Sequence, residues 1–168
     1  GKFRSGLREY LDARLASADM PESHMAIGGM ALSRRQWKEA EAAFATAAEM
    51  DPQLTEAWAM RAQIAEARGD AKAAEAALAA GIAASPRNID LLLARGGLAA
   101  RTAGAEDALA WYKRALALDD ARADVWLGMG LAALYGGKPD LARDYAAKAE
   151  SLAPSNADAP LVSAMAHA

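Results

Sequence analysis

Small and large apolar residues recur along most of the chain with a fixed period of about 34 residues. Helix-breaking prolines keep the same phase at Pro52, Pro86 and Pro154, and Asp120 takes the corresponding place between the last two. A fixed period of this length is typical of a repeat architecture in which each repeat is one supersecondary element. The phase predicts four repeats, at residues 21–54, 55–88, 89–122 and 123–156.

Each repeat, counted from its first residue, has small side chains where two helices would approach closely and large ones where a gap would be filled. The small ones are at position 8 (Gly28, Ala62, Gly96, Gly130), position 20 (Ala40, Ala74, Ala108, Ala142) and position 27 (Ala47, Gly81, Ala115, Ala149). The large ones are mainly at position 4 (His24, Trp58, Leu92, Trp126) and position 24 (Phe44, Leu78, Tyr112, Ala146). Turn residues at Gly69-Asp70, Gly104 and Gly136-Gly137-Lys138-Pro139 then divide the last three repeats into two helices each, and in the first repeat, which has no Gly there, Trp37 follows the turn.

This set of positions resembles the tetratricopeptide repeat, whose pattern is W-x2-L-G-x2-Y…A-x3-F…P with the same period. The resemblance covers residues 21–156 and implies an all-α fold, a right-handed α-solenoid of antiparallel helix pairs. Two departures suggest thinner helix packing. Position 7, usually Leu, is Arg61 and Arg95 in two repeats, and position 11, usually Tyr, is Ala throughout.

The segments outside these repeats carry the same period. Residues 1–20 are predicted to form the second helix of a preceding repeat, an orphan, with Gly6, Tyr10 and Ala13 at its packing positions. Residues 157–168 are predicted to form the first helix of a fifth repeat, or a cap. Because both ends fall inside repeats, we expect a segment of a longer protein whose exposed ends associate weakly with other copies.

A narrower resemblance links the first third of the chain to the tetratricopeptide segment of proteins associated with multihaem c-type cytochromes. Its residues are Phe3, Leu7, Tyr10, Ala18-Asp19, Pro21-Glu22, His24 and Ala40-Glu41. It implies a periplasmic accessory region. The chain itself leaves the compartment open between cytoplasm and periplasm, and this resemblance favours the periplasm.

Composition excludes several kinds of partner. The net charge is −3, with 19 basic and 22 acidic residues intermixed, so no basic stripe is present for nucleic acid. The absence of Cys excludes disulfides, thiolate zinc sites and covalent haem attachment. No apolar run reaches the roughly 18 residues of a membrane helix, so we expect no membrane insertion.

The sequence contains few residues of the kinds that usually carry out catalysis. The chain has two His, of which His24 is at a packing position and His167 is close to the end of the chain. So few His give no Ser/His/Asp arrangement, and the acidic residues are spread over solvated helix faces. We therefore expect no catalytic residues, no metal site, no cofactor and no enzymatic activity.

By resemblance, positions 2, 5, 6, 9, 12 and 13 of each first helix line a concave groove. The predicted groove residues are Met25, Gly29, Leu32, Ala59, Met60, Gln63, Leu93, Gly97, Arg101, Leu127, Leu131, Leu134 and Tyr135. Position 2 is acidic in every repeat and forms a predicted acidic lip of Glu22, Glu56, Asp90 and Asp124. These acids either complement the helix dipole or select basic partners.

We therefore expect a protein-interaction module that binds an apolar or weakly basic peptide or helix in this groove. The mid-helix Gly29 and Gly97 suggest close approach of a ligand to the backbone, or sequence drift in a stable array. The alternative function is a structural spacer or docking domain of a larger protein, such as a periplasmic multihaem cytochrome, that contacts its neighbours through its ends.

Overall fold

The computed structural model describes residues 19–154 and 158–166, and α-helix is the only extended regular structure in them. This confirms the predicted all-α class. The orphan helix predicted before residue 19 and His167 lie outside the described residues. The helices are α1 (Pro21–Ser33), α2 (Trp37–Met50), α3 (Thr55–Ala67), α4 (Ala71–Ala84), α5 (Ile89–Thr102), α6 (Ala105–Leu116), α7 (Ala123–Tyr135), α8 (Pro139–Leu152) and α9 (Asp158–Met165).

The helix starts repeat at a constant interval. The first helices of successive pairs begin at Pro21, Thr55, Ile89 and Ala123, and the second helices begin at Trp37, Ala71, Ala105 and Pro139. Each start therefore follows the previous one of its kind by the period of the sequence pattern. Short turns join the two helices of each pair, which makes them antiparallel neighbours. We keep the four-repeat division as an interpretation of this spacing.

The chain divides into an N-terminal half, residues 1–84, and a C-terminal half, residues 85–168. In the N-terminal half α1 packs on α2, α2 on α3, and α3 on α4. One core cluster there joins Ala31, Ala40, Phe44 and Ile64. Alanine dominates both this cluster and its neighbour, so the helices approach closely and the single Phe44 ring fills the gap between them.

In the C-terminal half α5 packs on α6, α6 on α7, and α7 on α8, while α9 covers parts of α7 and α8. Tyr112 is 4 % exposed, and its ring lies against Gly96 of α5 and Gly128 of α7. Val162 of α9 is buried beside Gly130. Small residues therefore admit a large ring in this half as well.

The turns show how the period is built. Gly69 and Gly137, both at repeat position 15, have φ of 75° and 67°, and Arg35 takes the same left-handed conformation at φ 58°.

At position 4, the Trp58 indole N–H donates to the Pro52 carbonyl at 3.1 Å, and Trp126 donates to the Asp120 carbonyl at 2.9 Å. Because the acceptor is a backbone carbonyl, which every residue has, this hydrogen bond does not require proline and is kept at Asp120.

None of the described helices is both long and apolar enough to cross a membrane.

Candidate functional site

The predicted groove residues all lie on first helices of the pairs, and we call their surface in each half the A-helix face. In the N-terminal half, Gly29 and Gln63 are exposed, and Met25, Leu32, Ala59 and Met60 are half-buried. In the C-terminal half, Arg101 and Tyr135 are exposed, and Leu93, Gly97, Leu127, Leu131 and Leu134 are half-buried. Their joint use as one groove stays a prediction.

Four of these side chains also pack against the core. Met25, Leu32 and Met60 contact the cluster around Phe44. Leu134 contacts the cluster of Ala133, Ala142 and Ala166. These residues therefore hold the helices together, and only their outer surface is available to a partner.

A cavity of about 290 Å³ opens on the A-helix face of the N-terminal half. It brings together Leu32, Gln63 and Ala67, which hold groove positions 12, 9 and 13 of their repeats, with Trp37 and Ile64. Trp37 is 39 % exposed although it is a large aromatic residue at the start of α2. The walls are apolar, and the Gln63 amide supplies both a donor and an acceptor, as a site for a peptide requires.

Sequence reasoning did not assign Trp37 or Ile64 to this site. Trp37 lies on a second helix, whereas the groove was predicted from first helices alone. Its exposed aromatic ring directly after a turn was the available signal, since such rings are enriched in binding surfaces.

The two mid-helix glycines differ in their surroundings. A Cβ built on Gly29 would meet no described atom within 4 Å, whereas one on Gly97 would lie 3.7 Å from the Arg101 guanidinium and 3.8 Å from the Tyr112 hydroxyl. Burial raises the pKa of Tyr112 to about 12, while Arg101 lowers it and Tyr135 raises it. The C-terminal face therefore has its own side chains beside the glycine, and the N-terminal face is open there.

The predicted acidic lip is also different in the two halves. Glu22 and Glu56 are exposed at the starts of α1 and α3. In the C-terminal half Arg122 donates to both Asp124 oxygens, at 2.9 and 2.5 Å, and to Asp90 at 2.8 Å. The hydrogen bonds that Asp124 accepts from Arg122 hold the pKa of Asp124 below its usual value. Arg122, which sequence reasoning missed, thus shares its charge between two acids of the row.

The arginines at repeat position 7 lie against aromatic rings. Arg61 stacks over the Trp58 ring at 5.2 Å. Arg95 stacks over Trp111 at 5.2 Å, and Arg114 also lies over that ring at 4.5 Å. The sequence analysis identified these two arginines only as departures from the usual Leu and did not predict their indole partners.

In the described part of the chain, no three His, Cys, Asp or Glu side chains lie close enough together to hold a metal ion. His24 is half-buried on α1.

No family model matches the chain, and no curated protein matches it either. Several solved structures do match the chain. PilF of Pseudomonas aeruginosa superposes with a TM-score of 0.75 at 24 % identity, covering 87 % of this chain and 67 % of that one. YrrB, a tetratricopeptide repeat protein described as having an unusual peptide-binding site, gives 0.69 at 17 % identity, covering 95 % and 82 %.

The first tetratricopeptide domain of Spaghetti (RPAP3), solved with the HSP90 peptide SRMEEVD, gives a TM-score of 0.63 at 20 % identity. It covers 70 % of this chain and 93 % of that one. These likenesses agree with the helix pairs, the constant helix spacing and the small-residue contacts described above. The chain therefore has the fold of the tetratricopeptide repeat proteins, an α-solenoid of antiparallel helix pairs.

Proposed function

We propose that this chain is a non-enzymatic protein-interaction module that binds an apolar or weakly basic peptide or helix on its A-helix faces. The observation that carries the proposal is the cavity of about 290 Å³ lined by Leu32, Trp37, Gln63, Ile64 and Ala67. An apolar side chain of the ligand enters the cavity, and the Gln63 amide pairs with the ligand backbone. Peptide binding by YrrB and RPAP3 on the same fold supports this proposal.

The acidic residues favour a weakly basic ligand. Glu22 and Glu56 are exposed in the half that carries the cavity, and the net charge of the whole chain is −3. Glu22 and Glu56 are at the starts of α1 and α3, and the cavity residues of these helices are at least seven positions further on. A cationic residue several positions from the apolar one would therefore be attracted to them. The apolar contact supplies the affinity, and the charges favour the orientation.

The test is a selection from a random displayed-peptide library on the wild-type protein, followed by calorimetry of the enriched peptides. Ala67→Glu places a carboxylate in the cavity mouth at an exposed helix position, so we expect it to weaken binding at least about ten-fold. Ala79→Glu, at an exposed alanine of α4 away from the cavity, is the matched control. Peptides that bind both variants as well as wild type would contradict the proposal.

Leu131→Glu examines the C-terminal face in the same assay. Leu131 is half-buried at repeat position 9, the position that Gln63 holds in the N-terminal half. If the ligand contacts this face too, Leu131→Glu weakens the same peptides. If Ala67→Glu alone weakens them, the ligand is confined to the N-terminal face.

The alternative function, a spacer or docking domain, is supported by apolar side chains on α9. Leu161 and Met165 are 58 % and 53 % exposed, one helical turn apart. Under this alternative the library yields no peptide sensitive to Ala67→Glu. Sedimentation would instead show association that Leu161→Lys reduces.

A further inference from the structure

The C-terminal half contains a polar group, the Tyr112 hydroxyl, that is not yet accounted for. Tyr112 lies on α6, the second helix of its pair, and is only 4 % exposed. In the described part of the chain its hydroxyl makes no hydrogen bond, yet it is not among the unpartnered polar atoms that are fully buried there. The small exposed part of Tyr112 therefore includes the hydroxyl, and a ligand can reach it.

Two glycines of first helices leave space beside this hydroxyl. A Cβ on Gly128 of α7 would lie 3.1 Å from the Tyr112 hydroxyl, and a Cβ on Gly97 of α5 would lie 3.8 Å from it. Both glycines are half-buried on the inner layer of first helices. Because neither has a side chain, the backbone of a ligand can approach the hydroxyl closely at this point of the C-terminal A-helix face.

The groups around Gly97 favour a ligand atom that accepts a hydrogen bond. Burial raises the pKa of Tyr112 to about 12, so the phenol keeps its proton at neutral pH and can donate it. The other side-chain atom near a Cβ on Gly97 is Nη1 of Arg101, at 3.7 Å, which is also a donor. Leu127 and Leu131, both half-buried, make the adjoining surface apolar, so a neutral acceptor is less costly to bury there than a charged one.

A backbone carbonyl is the neutral acceptor that every polypeptide provides. In an α-helix the carbonyls bond to amides of the same helix, and only those of the last turn remain unpaired. In an extended segment the carbonyls are free to pair with a binding partner. An extended ligand therefore offers acceptors along its whole length, whereas a helix lying on this face would offer them only at its end.

We propose that the C-terminal A-helix face binds a partner polypeptide in an extended conformation, and that the Tyr112 hydroxyl donates a hydrogen bond to one of its backbone carbonyls beside Gly97. Apolar side chains next to that carbonyl pack on Leu127 and Leu131. A second helix thus supplies a binding residue to a surface formed by first helices. This inference rests on the proposed peptide function, and it selects the extended peptide over the helix as the ligand of this face.

The test is a titration of the full chain with N-acetyl-leucine N′-methylamide, a probe too short to form a helix. Its affinity is read from the ¹H–¹⁵N shifts of Gly128 and Leu131. Tyr112→Phe removes the hydroxyl and keeps the ring, and Phe44 already occupies the same repeat position in the N-terminal half. We expect saturable shifts in wild type and an affinity about two- to ten-fold lower in Tyr112→Phe. No saturable shifts, or equal affinity in the variant, would overturn the proposal.

Tyr145→Phe is the matched control for the lost hydroxyl. Tyr145 lies on α8 and packs against the cluster of Ala133, Ala142 and Ala166. Its substitution should leave the affinity for the probe unchanged. A loss equal to that of Tyr112→Phe would mean that removing any tyrosine hydroxyl weakens the probe, which contradicts a specific contact.

Gly97→Ala tests the place of the contact without removing the hydroxyl. The added methyl meets only ordinary contacts in the protein but occupies the space beside the hydroxyl, so we expect a similar loss of affinity. The variant with both Gly97→Ala and Tyr112→Phe should lose no more than either alone. Gly29→Ala adds the same methyl at the same repeat position of the N-terminal half and should have no effect. Additive losses in the double variant would contradict a contact beside Gly97.

A side-chain-stapled helix with leucines on one face tests the conformation of the ligand. Its affinity should not depend on the Tyr112 hydroxyl, and a loss in Tyr112→Phe equal to that of the short probe would contradict the preference for an extended ligand. Ala67→Glu, which tests the N-terminal cavity, should leave the affinity of the short probe unchanged. Failure of the cavity and failure of the Tyr112 contact are therefore separate results.

Discussion

Phe44 in the N-terminal half and Tyr112 in the C-terminal half occupy the same repeat position and fill gaps opposite glycines. Phe44 is 2 % exposed and lies against Gly28, while Tyr112 lies against both Gly96 and Gly128. The phenol hydroxyl also reaches the neighbourhood of Gly97, on the A-helix face. One repeat pattern thus supports a purely apolar contact in one half and a contact with a polar end in the other.

The acidic residues at position 2 show a related difference. Asp90 and Asp124 share the guanidinium of Arg122, whereas Glu22 and Glu56 have no ion pair among the described residues. The C-terminal half uses its polar groups within the protein. The N-terminal half leaves them exposed at the starts of α1 and α3, and its cavity lies nearer the ends of these two helices. This contrast is the physical reason to place the peptide site in the N-terminal half first.

The largest expected effect concerns the glycines that face the rings. A Cβ on Gly28 would approach the Phe44 ring to 2.6 Å, whereas one on the adjacent Gly29 would meet nothing within 4 Å. Both substitutions to Ala gain the same helix propensity, about 1 kcal/mol. We therefore expect Gly28→Ala to be less stable than Gly29→Ala by about 1–3 kcal/mol, from overpacking, in urea unfolding.

The C-terminal pair provides the comparison. Gly96→Ala would force a Cβ into the Tyr112 ring, which Gly128 confines from the other side, where a Cβ would lie only 2.8 Å from the ring. The Tyr112 ring therefore has less room to move than Phe44, whereas Gly97→Ala meets only ordinary contacts. We expect the gap between Gly96→Ala and Gly97→Ala to be at least as large as that between Gly28→Ala and Gly29→Ala. Equal stabilities within either pair would show that the rings shift freely.

The helices could be predicted from sequence because their determinants are local and repeated. Small residues at positions 8, 20 and 27 recur in every repeat, and a turn glycine at or next to position 15 recurs in the last three. The candidate site could be predicted only in part. Leu32 and Gln63 follow from the groove positions that the family resemblance implies, but Trp37 joins them from a second helix, which those positions do not include. The contact of Arg122 with Asp90 joins the starts of α5 and α7, which belong to successive repeats, so the pattern of one repeat does not encode it.

The second expected effect concerns a turn. Arg35 has φ 58° at the position where Gly69 and Gly137 provide the left-handed conformation in other repeats. A residue with a Cβ destabilises the folded state by about 1–2 kcal/mol in this conformation. Glycine removes that steric cost, but part of the gain is lost because glycine also makes the unfolded chain more flexible. We expect Arg35→Gly to stabilise the protein by about 0.5–1 kcal/mol in urea unfolding.

The adjacent residue is the control for this substitution. Arg34 has φ −97°, an ordinary conformation, so Arg34→Gly should lose about 0.5–1 kcal/mol through backbone entropy alone. Both variants remove one positive charge, which cancels the electrostatic difference between them. If Arg35→Gly were also destabilising, the Arg35 side chain would have to supply contacts that outweigh its backbone cost.

The smallest expected effect concerns the acidic row. Asp124→Asn removes the carboxylate that accepts two hydrogen bonds from Arg122. Because both side chains are partly exposed, solvent screens the pair, and we expect a loss of about 0.2–1 kcal/mol at neutral pH. Glu56→Gln, at the same position without an ion pair in the described residues, should lose less, because it gives up only the helix-end contribution.

The pH dependence separates these two contributions. The pKa of Asp124 is held below its usual value near 3.8, so the folded protein binds this proton less tightly than the unfolded chain. The stabilisation is therefore fully present above about pH 4 and is lost as the pH falls through the lowered folded-state pKa. We expect the stability curves of wild type and Asp124→Asn, measured by urea unfolding, to converge below about pH 4. Curves that stay parallel into acid would mean that Asp124 contributes through packing, and the two halves would then use their position-2 acids alike.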